Sequence, residues 1–312
     1  MAKIGESMPD DKAGELVEYR AADAHRASAR VLRADDPGAP ALLCLPAMGV
    51  AAAYYTGFGE ALRESGVHVA ISDLRGIGSS SLRASSGCDF GYHEILTHDL
   101  AALVASVREQ FPASPRFLFG HSLGGQLWSL YLSANPEAAD GLVTMASCNV
   151  HYKGWSRPAR YRLLGTALLF RALGKTLGYV PAGRFGFAGN EARTMIADWS
   201  NNCFNGTYSV ANDPADYEHA LRFLQKPVLA LSVEGDRLAP RQSVDNLVAK
   251  MEAANVTRRH LSPAELGLER ASHFSWSKRP AAVVSLIREW MNGVVKAGAG
   301  LQPVTPQSAR PR

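Results

Sequence analysis

The chain has 312 residues, of which 46% are hydrophobic and 20% are charged, and its formal net charge at pH 7 is +4. These values are ordinary for a globular protein, exclude a mainly disordered chain and give no reason to expect nucleic-acid binding. The first 15 residues lack the apolar core of a signal peptide, and no apolar run reaches the about 18 residues of a membrane span. We therefore expect a cytoplasmic protein.

The sequence does not indicate a metal or cofactor site. Four cysteines lack the CxxC spacing of metal ligands, which predicts reduced thiols: Cys44, Cys88, Cys148 and Cys203. The histidines outside the motifs described below form no ligand cluster. We expect no metal and no organic cofactor.

The first predicted strand of a parallel sheet is the apolar run Ala41–Leu45. The loop from Pro46 to Val50 follows it and leads into a helix predicted to begin at Ala51. This loop therefore lies at the carboxyl end of a buried strand, where active-site loops of α/β proteins meet.

The next predicted strand, His68–Ser72, is followed by the segment Asp73-Leu74-Arg75-Gly76-Ile77-Gly78-Ser79-Ser80. We expect the charged side chains of Asp73 and Arg75 to hold this loop rather than to act in catalysis. Gly76 and Gly78 lack the third glycine and the helix opening of a dinucleotide-binding fingerprint.

The segment Gly120-His121-Ser122-Leu123-Gly124 has the G-x-S-x-G pattern of a nucleophile elbow, with Ser122 at its apex. Residues 116–119 upstream are typical of a buried strand, and residues 125–132 downstream have apolar side chains at helical spacing. Flanking glycines avoid collisions where the helix packs on the strand. The pattern predicts an exposed Ser122, with His121 packed or hydrogen-bonded beside the elbow.

After a further predicted strand, residues 141–146, the chain enters a segment too long for a simple connection. We assign residues 149–215 to an inserted helical cap. Residues 149–198 carry eight basic side chains against two acidic ones, a net charge of +6. Gly178 to Gly183 is expected to divide the cap into two helical pieces. Five apolar residues of the first piece have amphipathic helical spacing: Leu163, Leu164, Ala167, Leu168 and Leu173.

Three interpretations of this cap are open. In the first, its apolar face packs on the catalytic domain and the basic residues form a solvated rim. In the second, the cap is a lid that admits an acyl chain or aromatic acid, and an arginine binds a carboxylate. In the third, the cap adsorbs transiently to an anionic membrane surface.

The apolar strand Pro227–Val233 is followed by a turn with two carboxylates. Asp236 in this turn is the candidate acid of a catalytic triad. Glu234 is the alternative, but a residue still on the strand points away from the loop that follows. A helix over Gln242–Ala254 and an edge strand over Val256–Leu261 are predicted next.

His273 precedes an amphipathic helix predicted over Pro280–Met291. Residues 297–312 are rich in Ala, Gly, Pro and Gln, which predicts a disordered tail. The remaining chain divides into a catalytic core, residues 1–148 and 216–296, and the cap of residues 149–215.

Ser122, Asp236 and His273 follow one another in the order nucleophile, acid and base, each after a predicted strand. A serine hydroxyl is a poor nucleophile at neutral pH, so catalysis needs a base to take its proton. A carboxylate usually orients that base. The three residues together therefore predict nucleophilic acyl transfer.

Acyl transfer also needs donors for the oxyanion of the tetrahedral intermediate. We expect one backbone N–H from Leu123, directly after the nucleophile, and a second from the loop after Leu45. Met48 is the preferred donor and Ala47 the alternative, because Pro46 has no N–H.

The chain resembles the α/β-hydrolase superfamily, in particular its serine aminopeptidase-like and monoacylglycerol lipase-like branch. The resemblance covers residues 16–294 and rests on four segments: Ser122 in Gly-His-Ser-Leu-Gly-Gly, Asp73 to Ser80, Gly235-Asp236 with Pro240, and His273. Two departures are Pro46-Ala47 where many members have His-Gly, and Ile77 where histidine is common. The Pro-Ala-Met-Gly loop is similar to that of a poorly characterised subgroup.

The resemblance implies an α/β fold, with a mainly parallel sheet, helices on both faces and an inserted helical cap. It implies a serine hydrolase that cleaves a carboxylic ester, or a related acyl bond, of a small-molecule substrate through an acyl-enzyme. An acyltransferase with the same triad is the alternative. A catalytically idle binding module is less favoured, because all three triad positions are filled.

Overall fold

The structure is a computed structural model that describes residues 14–186 and 189–299. The strands are β1 (Glu15–Arg20), β2 (Arg26–Leu32), β3 (Ala41–Leu45), β4 (His68–Ser72), β5 (Arg116–His121), β6 (Gly141–Met145), β7 (Tyr179–Val180), β8 (Glu191–Ala192), β9 (Pro227–Val233) and β10 (Asn255–Leu261). The α-helices are α1 (Thr56–Glu64), α2 (Tyr92–Glu94), α3 (Leu100–Gln110), α4 (Leu123–Ala134), α5 (Ala159–Leu177), α6 (Arg193–Asn205), α7 (Tyr217–Arg222), α8 (Arg241–Val248) and α9 (Ala281–Ala299).

Eight strands form one sheet in the order β1-β2-β4-β3-β5-β6-β9-β10. The six strands from β4 to β10 pair in parallel, whereas β2 is antiparallel to both β1 and β4. The mainly parallel α/β sheet predicted from the sequence is therefore confirmed.

Alternate residues of the central strands face opposite sides of the sheet, and both sides are buried. Leu43 and Leu45 of β3 belong to an apolar cluster with α3 and α4, whereas Leu42 and Cys44 belong to a cluster with α1 and α9. Because successive side chains of a strand point in opposite directions, a continuously apolar strand requires helices on both faces.

The predicted strands agree with the structure to within one or two residues at their ends, and β10 lies at the sheet edge as expected. Two helix predictions were wrong in length. The helix predicted over Gln242–Ala254 ends at Val248, and turns with N–H donors at Lys250 and Met251 follow. The terminal helix continues past Met291 to Ala299, because Val294 and Val295 still pack against the core.

This helix also takes in residues 297–299, which the sequence assigned to a disordered tail. The remaining predicted tail, residues 300–312, lies outside the described residues. Within the predicted cap, the structure has helices α5 and α6, which pack on each other, and the short β7–β8 pair between them. The domain boundaries themselves stay a prediction.

The parallel strands β3, β5 and β9 all end at the same edge of the sheet. Loops that leave the carboxyl ends of parallel strands converge there, and this is where α/β folds bind their ligands. The loop after β3, the elbow after β5 and the acidic turn after β9 are therefore neighbours.

Candidate active site

Ser122 lies between the end of β5 and the start of α4, with φ = 54° and ψ = −117°. A positive φ at a residue with a Cβ costs of order 1–3 kcal/mol and persists only where the surroundings enforce it. Here the Ser122 N–H donates to the Met145 carbonyl at 2.9 Å, and its own carbonyl accepts from the N–H of Gly125 at 3.1 Å. The side chain stays partly exposed while both neighbours are buried.

The glycines of the elbow leave no space for a side chain. A Cβ on Gly120 would lie 2.2 Å from the Gly125 nitrogen, and one on Gly124 would lie 2.5 Å from the Leu45 carbonyl oxygen. Helix α4 therefore approaches the backbone of β5 and β3 as closely as glycine allows. This contact fixes the distance between Ser122 and the loop that follows Leu45.

Asp236 and His273 are hydrogen-bonded to each other, with 2.8 Å between Asp236 Oδ2 and His273 Nδ1. Both residues are buried. The second carboxylate oxygen of Asp236 accepts the backbone N–H groups of Leu238 at 2.8 Å and Ala239 at 3.0 Å. These bonds fix the carboxylate in the turn after β9, so that it orients the imidazole of His273.

Glu234, the alternative acid, has an exposed side chain and continues the pairing of the sheet edge through its N–H, which donates to the Leu261 carbonyl at 2.9 Å. The structure thus brings Asp236 and not Glu234 to His273. Ser122 Oγ forms no hydrogen bond with His273 among the described residues. Catalytic hydrogen bonds of this kind are often loose without substrate and tighten in the Michaelis complex.

His121 connects the elbow to the loop that carries His273. Its Nε2–H donates to the His273 carbonyl at 3.0 Å, since a carbonyl can only accept. Its Nδ1 then accepts from the Tyr55 hydroxyl at 2.7 Å, and that hydroxyl in turn accepts the Ala47 N–H at 3.1 Å. Burial and the neighbouring His273 hold the pKa of His121 well below its usual value, so the ring stays neutral. The sequence did not point to Tyr55.

The loop after β3 contains a turn closed by the Val50 N–H, which donates to the Ala47 carbonyl at 3.1 Å. Gly49 at its third position has φ = 66°, a conformation that favours glycine. The Ala47 N–H donates to the Tyr55 hydroxyl. In this part of the described chain, the backbone N–H groups of Met48 and Leu123 have no hydrogen-bond acceptor. The geometry therefore favours Met48 over Ala47 as a donor.

A second Ser-His-Asp arrangement joins Ser80 in the loop after β4 to His25 before β2 and Asp99 before α3. His25 Nδ1 is 2.8 Å from Asp99 Oδ1, and His25 Nε2 is 2.8 Å from Ser80 Oγ. Unlike Ser122, Ser80 is buried, and its oxygen already accepts the backbone N–H groups of Gly76 and Leu82. This hydroxyl is held as a structural acceptor.

Asp73 and Arg75 hold the surrounding loops, as the sequence suggested. Asp73 accepts the backbone N–H groups of Ala52 at 2.7 Å and Ser79 at 2.8 Å. Arg75 binds Asp99 with two nitrogens, at 2.8 and 2.6 Å, and neither side chain contacts the candidate triad in the described structure.

Helix α5 packs through Ala167, Phe170 and Gly174, while Leu168 is 60% exposed. Leu168 therefore does not share the packed face of the helix, because one step along a helix rotates a side chain by about 100° away from Ala167. Several basic residues have structural partners. Arg160, for example, donates to the carbonyls of Trp155 at 3.2 Å and Lys153 at 3.1 Å.

The segment predicted as a cap also reaches the loop after β3. Phe170 and Val180 form a small apolar cluster with Ala182 and Ile196, and the partly buried side chain of Met48 packs against it. Met48, the predicted oxyanion donor, therefore lies between the predicted core and the predicted cap.

Residues 14–186 and 189–299 contain no group of three or more His, Cys, Asp or Glu side chains arranged to hold a metal ion. No helix there combines the length and the apolar character that a membrane crossing requires.

The sheet order, the elbow after β5 and the loops at the carboxyl edge define an α/β-hydrolase fold. Residues 39–177, less than half of the chain, match the model of the family described as serine aminopeptidase, S33. No curated protein matches the chain.

Solved structures share the fold over nearly their whole length. Est1E from Butyrivibrio proteoclasticus, solved with ferulic acid, is 14% identical with a TM-score of 0.62, covering 89% of this chain and 99% of its own. Monoacylglycerol lipase from Paleococcus ferrophilus is 16% identical with a TM-score of 0.59, covering 86% and 99%. The thioesterase domain from the curacin biosynthetic pathway is 18% identical with a TM-score of 0.56, covering 88% and 100%.

The solved structures support the α/β-hydrolase fold, and the match over residues 39–177 supports the serine aminopeptidase branch, as the sequence motifs predicted. They also support a hydrolase as the class of activity. At such low identities the likeness to solved structures extends to the fold alone.

Proposed function

We propose that the protein is a serine hydrolase that cleaves a carboxylic ester or a related acyl bond through an acyl-enzyme. The observation that carries this proposal is the 2.8 Å hydrogen bond between His273 and Asp236, two buried residues at the same sheet edge as Ser122. A thioesterase domain and a monoacylglycerol lipase share this fold, and both names denote the cleavage of an acyl bond.

In the first half-reaction, His273 Nε2 takes the proton of Ser122 while Oγ attacks the substrate carbonyl carbon. The N–H groups of Met48 and Leu123 stabilise the resulting oxyanion. Asp236 keeps the proton of His273 on Nδ1, leaving Nε2 free to act as a base, and stabilises the imidazolium that forms. His273 then gives its proton to the leaving alcohol as the tetrahedral intermediate collapses to the acyl-enzyme.

In the second half-reaction, His273 removes a proton from water, whose oxygen attacks the acyl carbonyl. The second tetrahedral intermediate releases the acid, and His273 returns the proton to Ser122 Oγ. No step in this sequence requires a metal or an organic cofactor.

The test is labelling with a fluorophosphonate probe, followed by identification of the modified residue. We expect the wild-type chain to be labelled on Ser122, and Ser122→Ala and His273→Ala to lose labelling. Failure of the wild type to label beside a control hydrolase, or equal labelling of Ser122→Ala, would overturn the proposal. Products formed with an added alcohol or thiol separate a hydrolase from an acyltransferase, since hydrolysis indifferent to any acceptor contradicts the latter.

The choice of acid has its own test. Asp236→Asn keeps an oxygen for the N–H groups of Leu238 and Ala239 but can present an amide N–H to His273, which favours the wrong tautomer. We expect kcat to fall about a thousandfold or more with the fold intact. Glu234→Gln is the matched control and should leave kcat unchanged. A large loss in Glu234→Gln with none in Asp236→Asn would reverse the assignment.

A further inference from the structure

Helix α5 has one packed face and one open face. Its buried residues are Ala167, Phe170 and Gly174. Two positions before each of them stands an exposed residue: Gly165, Leu168 and Ala172. Two steps along a helix turn a side chain by about 200°, so the exposed residues lie opposite the packed ones.

The open face is apolar. Tyr161 is 56% exposed, Leu168 is 60% exposed and Leu169 is 46% exposed. With Gly165 and Ala172 they recur at the spacing of one helix face, and we call these five residues the outer face of α5. A surface helix normally presents polar side chains to water, and a contiguous apolar patch marks an interaction site.

Basic side chains border the outer face. Arg162 follows Tyr161 by one position, which turns it by about 100° to one side. Arg171 follows Leu168 by three positions, a turn of about 300° that brings it to the other side. Lys175 follows Leu168 by seven positions and therefore lies at the C-terminal end of the face itself. All three basic residues are exposed.

The surrounding chain carries charge of one sign. No Asp or Glu lies between Asp140 and Glu191, whereas seven basic residues do: Lys153, Arg157, Arg160, Arg162, Arg171, Lys175 and Arg184. All but Arg160 are exposed. Arg171 donates to uncharged partners, Ser200 at 3.2 Å and Asn201 at 2.6 Å. The positive charge of this segment is therefore not compensated within it.

We propose that the outer face of α5 docks on an anionic lipid surface. The leucines enter the boundary between headgroups and acyl chains, while the bordering Arg and Lys side chains reach the anionic headgroups. Tyr161 suits this boundary because its ring is apolar and its hydroxyl is polar. The inference goes beyond the proposed function and does not depend on Ser122.

Charge argues against a second copy of this chain as the occupant. A two-fold contact through the outer face would bring the same basic border of each copy against the other, and like charges repel. An acidic protein would neutralise the border. The apolar residues between the basic ones instead favour a surface that is anionic outside and apolar beneath.

The experiment is cosedimentation of the full-length chain with lipid vesicles. One set contains phosphatidylcholine alone, and the other contains about 30 mol% phosphatidylserine as the anionic lipid. We expect the partition coefficient for the anionic vesicles to exceed that for the neutral ones by at least about tenfold. It should fall as salt is added, because salt screens the attraction between exposed charges.

Leu168→Ser tests the apolar part of the outer face. We expect it to lower the partition coefficient for anionic vesicles by about threefold or more, because an apolar side chain is lost from the lipid boundary. Leu16→Ser on β1 is the matched control, since Leu16 is also 60% exposed, and it should leave the partition coefficient unchanged.

Arg162→Gln combined with Lys175→Gln tests the basic border. We expect a loss of about fivefold or more at low salt. Arg63→Gln combined with Arg241→Gln is the matched control, because it removes the same net charge from partly exposed positions outside α5. The control should retain most of the binding.

Several results would overturn the inference. They are equal partitioning into both vesicle types, unchanged binding in Leu168→Ser and in the α5 charge variant, and equal losses in the two charge variants. A dimer that Leu168→Ser dissociates would assign the face to a second copy. Binding to soluble polyglutamate but not to anionic vesicles would assign it to an acidic polypeptide. Vesicle binding needs no substrate, so its failure is distinguishable from a failure of Ser122 to label.

Discussion

Single residues hold the candidate site through bonds that are far apart in sequence. The Tyr55 hydroxyl binds both the Ala47 N–H and His121, and His121 binds the carbonyl of His273. One phenol therefore connects the loop of the proposed oxyanion donor, the elbow and the loop of the proposed base. A substitution that removes the Tyr55 hydroxyl therefore affects the position of all three parts of the site.

We predict that Tyr55→Phe lowers both stability and kcat. The substitution leaves the buried Ala47 N–H and His121 Nδ1 unpaired, at about 1–3 kcal/mol for each group. Thermal unfolding and kcat with a small ester measure the two effects. Tyr19→Phe is the control, because it removes a buried hydroxyl bound to Ser72 at 2.7 Å outside the site and should lower stability alone. Equal kcat values for Tyr55→Phe and the wild type would contradict the positioning role.

Glu191 makes a separate prediction about stability and pH. The folded chain holds its proton up to a pKa of about 8, whereas the unfolded chain releases it near 4.5. Between these values the folded state binds more protons, so stability falls as the pH rises, by at most about 1.4 kcal/mol per pH unit, and levels off above the folded pKa.

Glu191→Gln has no such proton, so its stability relative to the wild type should increase from about pH 5 to about pH 8 and then stay constant. Urea unfolding across this range measures the difference. Glu64→Gln, at a surface carboxylate that is 70% exposed, should show no such trend. A difference for Glu191→Gln that does not depend on pH would mean that the carboxyl is ionised in the folded protein.

At the scale of elements, the close contact of α4 with β3 and β5 determines where Ser122, the proposed nucleophile, lies. We predict that Gly124→Ala destabilises the protein by about 2–5 kcal/mol or prevents folding, since the new Cβ would lie 2.5 Å from a backbone oxygen that cannot move freely. Gly165→Ala in α5 is the control, with nothing within 4 Å, and should stabilise by up to about 1 kcal/mol. Similar unfolding midpoints for the two variants would contradict this account.

The sequence predicted the elements whose formation depends on residues that are close together in the chain. Strands β3, β4 and β9 are mostly apolar because both of their faces are buried, and such runs stand out in a sequence. The elbow was recognisable because its glycines and serine lie within five consecutive positions. The β1–β2 hairpin was not predicted, because Tyr19 is the one buried residue of β1 and both strands carry several charges.

Long-range contacts within the site could not be predicted. The bond between Tyr55 and His121 spans 66 residues, and the bond from the Tyr92 N–H to Asp198 spans 106. Whether Met48 or Ala47 has a free N–H depended on the same kind of contact. Sequence patterns indicate burial and turns. They do not indicate which distant polar group accepts a hydrogen bond from a given N–H.

At the scale of the whole molecule, a buried network joins the antiparallel edge to the parallel sheet. Arg75, after β4, binds Asp23 in the β1–β2 turn at 2.6 Å and Asp99, just before α3, at 2.6 Å. His25 adds a bond from the same turn to Asp99 at 2.8 Å. Three segments distant in sequence are thus held by one guanidinium and one carboxylate.

Arg75→Met should therefore cost about 3–5 kcal/mol, because it leaves the Asp99 carboxylate buried without its cation, and Arg75→Met with Asp99→Leu should recover part of that loss. Denaturant unfolding measures both, with Arg63→Met at a surface pair as the control.

The same network contains Ser80, whose oxygen accepts hydrogen bonds from backbone N–H groups, so Ser80→Ala should not alter fluorophosphonate labelling. A probe adduct on Ser80 would show instead that this second Ser-His-Asp arrangement opens to solvent and reacts.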